Sequence, residues 1–375
     1  MRGIRFMLCF MLLLLGMVQY VKAEELSGVI ENKLERLDLG VVDNEAGTIE
    51  DMEEVTFQGL VKKIITGEFS FRPSKIFSFV MEHCFGEVKN QMSTVRKLIL
   101  IMILSGILKN LNASFSGKSV GELGFYICYL VLIVLVMTEF YRQTAMVGMV
   151  VKKMTISFQA MLPIFFALAA SSGGYTQTAV IGPTIAGGAG ILSVVLTTVV
   201  LPIITLAASL EMINHITEKP MLGRFNDLLK GGIALGMKAA AFLFMTLLSL
   251  QKLGASSINH MLGKTTKAVV SAIPVVGDVM GGAVESAAAL TGMLKNGTLA
   301  AAAIFLICMC AVPLIRLGVM VGIYKVTAAI AEPVCEPRLV KCIGGVGDFL
   351  VLLFGILFLM EVMFLFSAIL LLAVF

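Results

Sequence analysis

The side chains best placed to do chemistry in this sequence are charges set inside apolar runs: Glu122, Lys238, Arg316 and Glu361. An ionisable group at membrane depth is costly unless it is paired or used, so each is a candidate for conduction, proton coupling or fixing helix register. Glu122 and Lys238 stand near the ends of their runs, where a side chain can reach the interface. Arg316 lies deep in the 300–323 run beside Pro313, and Glu361 lies near the middle of the 348–375 run. A pair between Arg316 and Glu361 would neutralise both inside a bundle, as a register-fixing ion pair or as part of a conduction path. Removing one partner would leave an uncompensated charge.

Other chemistry is poorly represented. His83, His215 and His260 are scattered, with no second histidine one helical turn away, so no metal site is expected. There is no HExxH, no GxSxG, no Walker-type loop and no GxGxxG after a strand, so neither an enzyme nor a cofactor is expected. Cys128, Cys308 and Cys310 sit in apolar runs and read as packing residues. Cys335 and Cys342 are close enough in sequence to pair, although spacing alone does not supply the geometry. No basic stripe suggests nucleic acid.

The elements that must hold these residues are set by composition. Of the 375 residues 58% are hydrophobic and 14% charged, at a mean hydropathy of +0.95. That little charge cannot cover a water-facing surface of this size. The expected fold is all-α, a polytopic helical membrane protein of six or seven spans with a small helical extracytoplasmic N-terminal segment. Arg2 and Arg5 before Phe6–Val18, with Val21 and Ala23 at small-residue positions, read as a cleavable signal peptide over 1–23. Residues 24–94 then form the extracytoplasmic segment, acidic and loop-like from Asp43 to Glu54, with Pro73 placed to open a helix. The membrane domain occupies 95–375.

Apolar runs near 97–112, 121–139, 154–171, 190–213, 233–251, 300–323 and 348–375 are the candidate spans. The first is the weakest, because only a short stretch separates Lys97 from Lys109. Were all seven to cross, loop lysines and arginines would favour the outside; were Leu98–Leu108 not to cross, the bias would become correct. Six spans and an extracytoplasmic C-terminus are therefore expected.

Three stretches are neither spans nor ordinary loops. Gly173–Gly190 is small-residue-rich and uncharged, so at membrane depth its backbone needs shielding. Pro220–Lys230 reads as a short interfacial helix. Ser256–Met293 is broken at Ile273-Pro274-Val275-Val276-Gly277, and Gly277 and Gly281 stand one turn apart, followed by Gly282. That spacing lets helix backbones approach closely. Ile273, Pro274, Gly277, Gly281 and Gly282 are therefore the candidate pore-proximal or partner-packing element. A broken helix with buried charges also fits a self-sufficient secondary transporter or permease, the alternative reading.

The order of segments resembles the stage III sporulation protein AE family. The likeness is carried by Leu34-Glu35-Arg36-Leu37-Asp38 after the signal, Leu108-Lys109-Asn110-Leu111, and Cys128-Tyr129-Leu130-Val131-Leu132-Ile133. Ala169-Ala170-Ser171-Ser172-Gly173-Gly174, Ile273–Gly277, Leu294-Lys295-Asn296 and Tyr324-Lys325 follow in order. The resemblance implies a non-enzymatic component of a channel-like, secretion-like complex between mother cell and forespore. It implies placement in the mother-cell (outer forespore) membrane, in contact with lipid. It also implies partnership with the other stage III sporulation A proteins and the forespore Q protein; association with further copies of the same chain is open. It carries over no catalytic residue.

Overall fold

The computed structural model describes residues 39–46, 56–69, 73–114, 118–171, 185, 187–216, 222–244, 246, 276–333 and 335–373. Every regular element among them is helical. These are α1 (Gly40–Ala46), α2 (Phe57–Ile65), α3 (Pro73–Ser114), α4 (Lys118–Ser171), α5 (Gly187–Asn214), α6 (223–244), α7 (Val276–Ala331) and α8 (Pro337–Ala373). The all-helical architecture expected from composition is the one observed. Among the described residues five helical stretches are long and apolar enough to cross a membrane, in α3, α4, α5, α7 and α8. That is fewer than the six or seven expected, and the expected run 233–251 lies partly outside the described residues.

The main correction concerns α4. The runs 121–139 and 154–171 are not two antiparallel spans but one continuous helix of 54 residues. The intervening Glu139, Arg142, Lys152 and Lys153 suggest a loop by charge alone, yet the stretch between the runs contains no proline and only Gly148 among helix breakers. Pro163 sits further on and removes one N–H without ending the helix. The weak run 97–112 is likewise the C-terminal part of the 42-residue α3, so the expected boundary at 94/95 falls inside an unbroken helix.

The first part of the stretch expected to be an acidic loop is helical. Asp43 lies in α1, and its carboxylate accepts the backbone N–H groups of Phe57 (Oδ1) and Gln58 (Oδ2, 3.2 Å) at the start of α2. Thr56 Oγ1 accepts from Gly59 N at 3.1 Å, so the free donors of the first turn are answered from two directions. The helix closes at Gly67, whose φ of +75° lies in the left-handed region that favours glycine. Phe57, Leu60, Val61 and Ile65 form the buried face of α2, at i, i+3, i+4 and i+8.

Polar contacts fix the helix directions. α7 and α8 pack most extensively and run antiparallel, with Cys310 against the Leu357 carbonyl and Lys325 against Gly344 and Asp348. α3 runs parallel to α7, through Glu87–Arg316 at one end and the Cys335 thiol donating to Met102 O at the other. α4 runs with α8, joined by Arg338–Phe125 and Phe158–Phe364. α5 runs against α4, with Thr155 donating to Ser193 at 2.8 Å and Tyr129 to the Met212 carbonyl. In α5 a wide π turn at Leu196–Val200 ends two residues before Pro202, whose missing N–H and ring make an ordinary turn unfavourable. The core lies along the α4–α7–α8 contact, where Phe158, Phe165, Phe305, Phe349 and Phe364 are fully buried.

Candidate functional site

The structure separates the two deep charges. Arg316 Nε donates to Glu87 Oε2 of α3 at 3.3 Å. Among the described residues Glu361 has no ion-pair partner, and neither of its oxygens has a hydrogen-bond partner. The expected Arg316–Glu361 pair is therefore not formed, and helix register explains why. Cys310 stands opposite Leu357. In an antiparallel pair Arg316 and Glu361 then move away from that level in opposite directions, about ten residues in all, or ~15 Å of rise.

Glu87 is the partner that the sequence reading overlooked. It lies on the stripe by which α3 packs, with Leu98, Met102 and Ser105. Reading the helix as continuous from Pro73 would have placed Glu87 on that stripe. The pair is only partly screened from solvent: the side chains are 31% and 9% exposed for Arg316 and Glu87.

A second polar centre joins the ends of α4, α5, α6 and α8. Glu211 of α5 accepts from Asn226 Nδ2 and, at 3.2 Å, from Lys230 Nζ of α6. Lys230 also lies 4.7 Å from the Phe349 ring centroid. Asn214 Oδ1 accepts from Leu222 N at 2.8 Å, tying the start of α6 to the end of α5. Gly345 leaves the space that Glu211 fills, since a Cβ there would stand 2.9 Å from Glu211 Oε1. Arg338 of α8 stacks 4.0 Å over Phe125 of α4, donates to Ile216 O and pairs with Glu336. The charges of this junction are matched, and its contacts hold four helices in register.

Lys238 and Glu122 are exposed on α6 and α4. Cys335 and Cys342 are both buried and are not joined to each other by a disulfide. His83 and His215 each bond a backbone carbonyl one turn back, Phe79 and Glu211. Among the described residues no group of three or more His, Cys, Asp or Glu side chains converges. Gly277, Gly281 and Gly282 lie in the first turns of α7, whereas Ile273 and Pro274 fall outside the described residues. Also outside them are the signal segment, His260 and most of Gly173–Gly190.

One apolar groove of about 400 Å³ lies between α3 and α7, lined by Val88, Met92, Val95 and Ile99 on one side and Val319, Ile323 and Val326 on the other. Beyond it α3 is sparsely covered: Phe77, Phe85, Leu100, Ile103, Leu104 and Ile107 are all exposed.

Comparison with known proteins gives a consistent assignment. The sequence profile described as stage III sporulation protein AE matches residues 55–374. The stage III sporulation protein AE of Bacillus subtilis (strain 168) is 28% identical over 312 residues, covering 83% of this chain and 78% of that protein. No solved structure matches.

Proposed function

The chain belongs to the stage III sporulation protein AE family, and from that premise we propose that it is a non-enzymatic membrane component of a multiprotein, secretion-like channel complex between mother cell and forespore. Its place is the mother-cell (outer forespore) membrane, and its partners are the other stage III sporulation A proteins and the forespore Q protein. Ile273–Gly282 is the element nearest the pore or a partner.

One observation carries this reading. α3 and α4, of 42 and 54 residues, extend ~63 and ~81 Å at about 1.5 Å per residue. A bilayer with its headgroups is about 40–45 Å thick. Both helices expose large apolar side chains over much of their length, from Phe77 to Ile107 on α3 and from Leu123 to Met149 on α4. Those exposed stretches rise ~45 and ~39 Å at about 1.5 Å per residue, more than the roughly 30 Å hydrocarbon core of one bilayer, so part of that apolar surface calls for protein.

The unpartnered Glu361 favours the self-sufficient transporter as the second reading. Purification from sporulating cells in a mild detergent separates the two. A complex component brings the other stage III A proteins with it and moves no solute when reconstituted alone. Purification without partners, together with solute uptake that depends on Glu361, would replace this reading with the transporter.

A further inference from the structure

Glu361 is the one carboxylate on α8 for which the fold supplies no answering group among the described residues. It is 5% exposed and packs in the interior where α8 meets α7 and α4. The cations of the neighbouring elements are engaged elsewhere or point away. Arg316 is on Glu87, Lys230 on Glu211 and Lys325 on Asp348. Lys238 of α6, Lys62 and Lys63 of α2, and Lys152 and Lys153 of α4 are all exposed, and Lys295 of α7 lies about eleven positions, ~16 Å of rise, from the level of Glu361. From α7, Cys308 and Cys310 stand close enough for the charge of Glu361 to bear on their thiols. α4 carries no titratable residue between Lys153 and Ser171, and α5 none between Gly187 and Glu211.

An ionised carboxylate with neither counter-ion nor donor is strongly disfavoured in such surroundings, whereas the neutral acid is tolerated. We propose that Glu361 is a proton-binding site of the α7–α8 interface: the protonated carboxyl fits between the helices, and release of its proton drives the interface to rearrange. The step is a plain acid–base exchange. The carboxyl O–H bond breaks, the proton passes to water admitted by the rearrangement, and the carboxylate left behind is solvated there. The site thereby couples the contact between two long helices to proton activity.

The test uses the purified full chain in detergent micelles. Dicyclohexylcarbodiimide adds to protonated carboxyls in apolar surroundings, and peptide mass spectrometry locates the adduct. Glu361 is expected to be modified at about pH 6 and several-fold less at about pH 9, while a water-soluble carbodiimide leaves it untouched. The ion-paired Glu87 and Glu211 stay unmodified by the apolar reagent. E361Q, a neutral isostere, abolishes the adduct. It also flattens the loss of thermal stability that the unsubstituted chain shows between those two pH values. No adduct at Glu361 at the lower pH, or equal modification by the water-soluble reagent, overturns the proposal. An identical pH dependence of melting in E361Q overturns it as well. Labelling of the unsubstituted chain decides the matter alone if E361Q does not fold.

Discussion

Arg316 and Glu87 form an ion pair at the boundary between two regimes. Exposed pairs contribute little, because water and side-chain entropy offset the attraction. Buried pairs are costly to break singly, because one charge is left without an answer. With Arg316 31% exposed and Glu87 9% exposed, Glu87→Gln should destabilise the purified chain by roughly 1–3 kcal/mol, between those limits. The double change Glu87→Leu/Arg316→Leu should recover most of the loss. Thermal melts of the two singles and the double form the cycle, and additive losses would show that the pair contributes nothing. That Arg316 and Glu361 are unusual is readable from their setting in apolar runs. Which residue answers Arg316 is not, because that depends on a helix register set by dozens of apolar contacts. The same register leaves Glu361 alone, a consequence that no inspection of residue types could supply.

Helix continuity decides what the elements can do. The apolar runs of α4 were legible, but the charges between them imitate a loop, and hydropathy weighs charge more heavily than the absence of a breaker. Geometry also shows close approaches that sequence hides. A Cβ at Gly297 would lie 2.5 Å from Ile65 Cγ1, so α2 can reach α7 only because that position carries no side chain. Phe57 then meets the Phe305 ring edge-on at 5.8 Å. Gly297→Val should lift α2 from α7, at a cost of roughly 1–3 kcal/mol for the overpacking. Lys62 and Lys63 lie on this helix, so limited trypsin digestion reports its docking, and cleavage there should rise on the order of tenfold. Unchanged cleavage in Gly297→Val would mean that α2 is held by its caps and not by this contact.

At the scale of the molecule, the continuous α4 changes the topology. α3 runs parallel to α7, and α7 antiparallel to α8, so Pro73 and Ala373 lie at the same end of the bundle. The opposite end holds the Glu211 junction and the turn between α7 and α8. Lys109, Lys118, Arg224, Arg338 and Lys341 stand on the helix ends that meet there. Short basic connections favour the cytoplasm, which predicts that the junction end faces inward and that Pro73 and the C-terminus face outward. Counting spans from hydropathy reaches the same side for the C-terminus by a different route, with Lys109 and Lys118 outside and the α3 run excluded. The two routes part at the α3–α4 connection, around residue 116. An alkaline phosphatase fusion, active only outside the cytoplasm, should be inactive there and active after Phe375. A fluorescent reporter that matures only in the cytoplasm should show the reverse. If the fusion at 116 is active for phosphatase, α3 does not cross and the outward C-terminus needs the six-span count. If the fusion after Phe375 fluoresces, the helix directions derived from Glu87–Arg316 and Cys310–Leu357 do not describe the chain in its membrane.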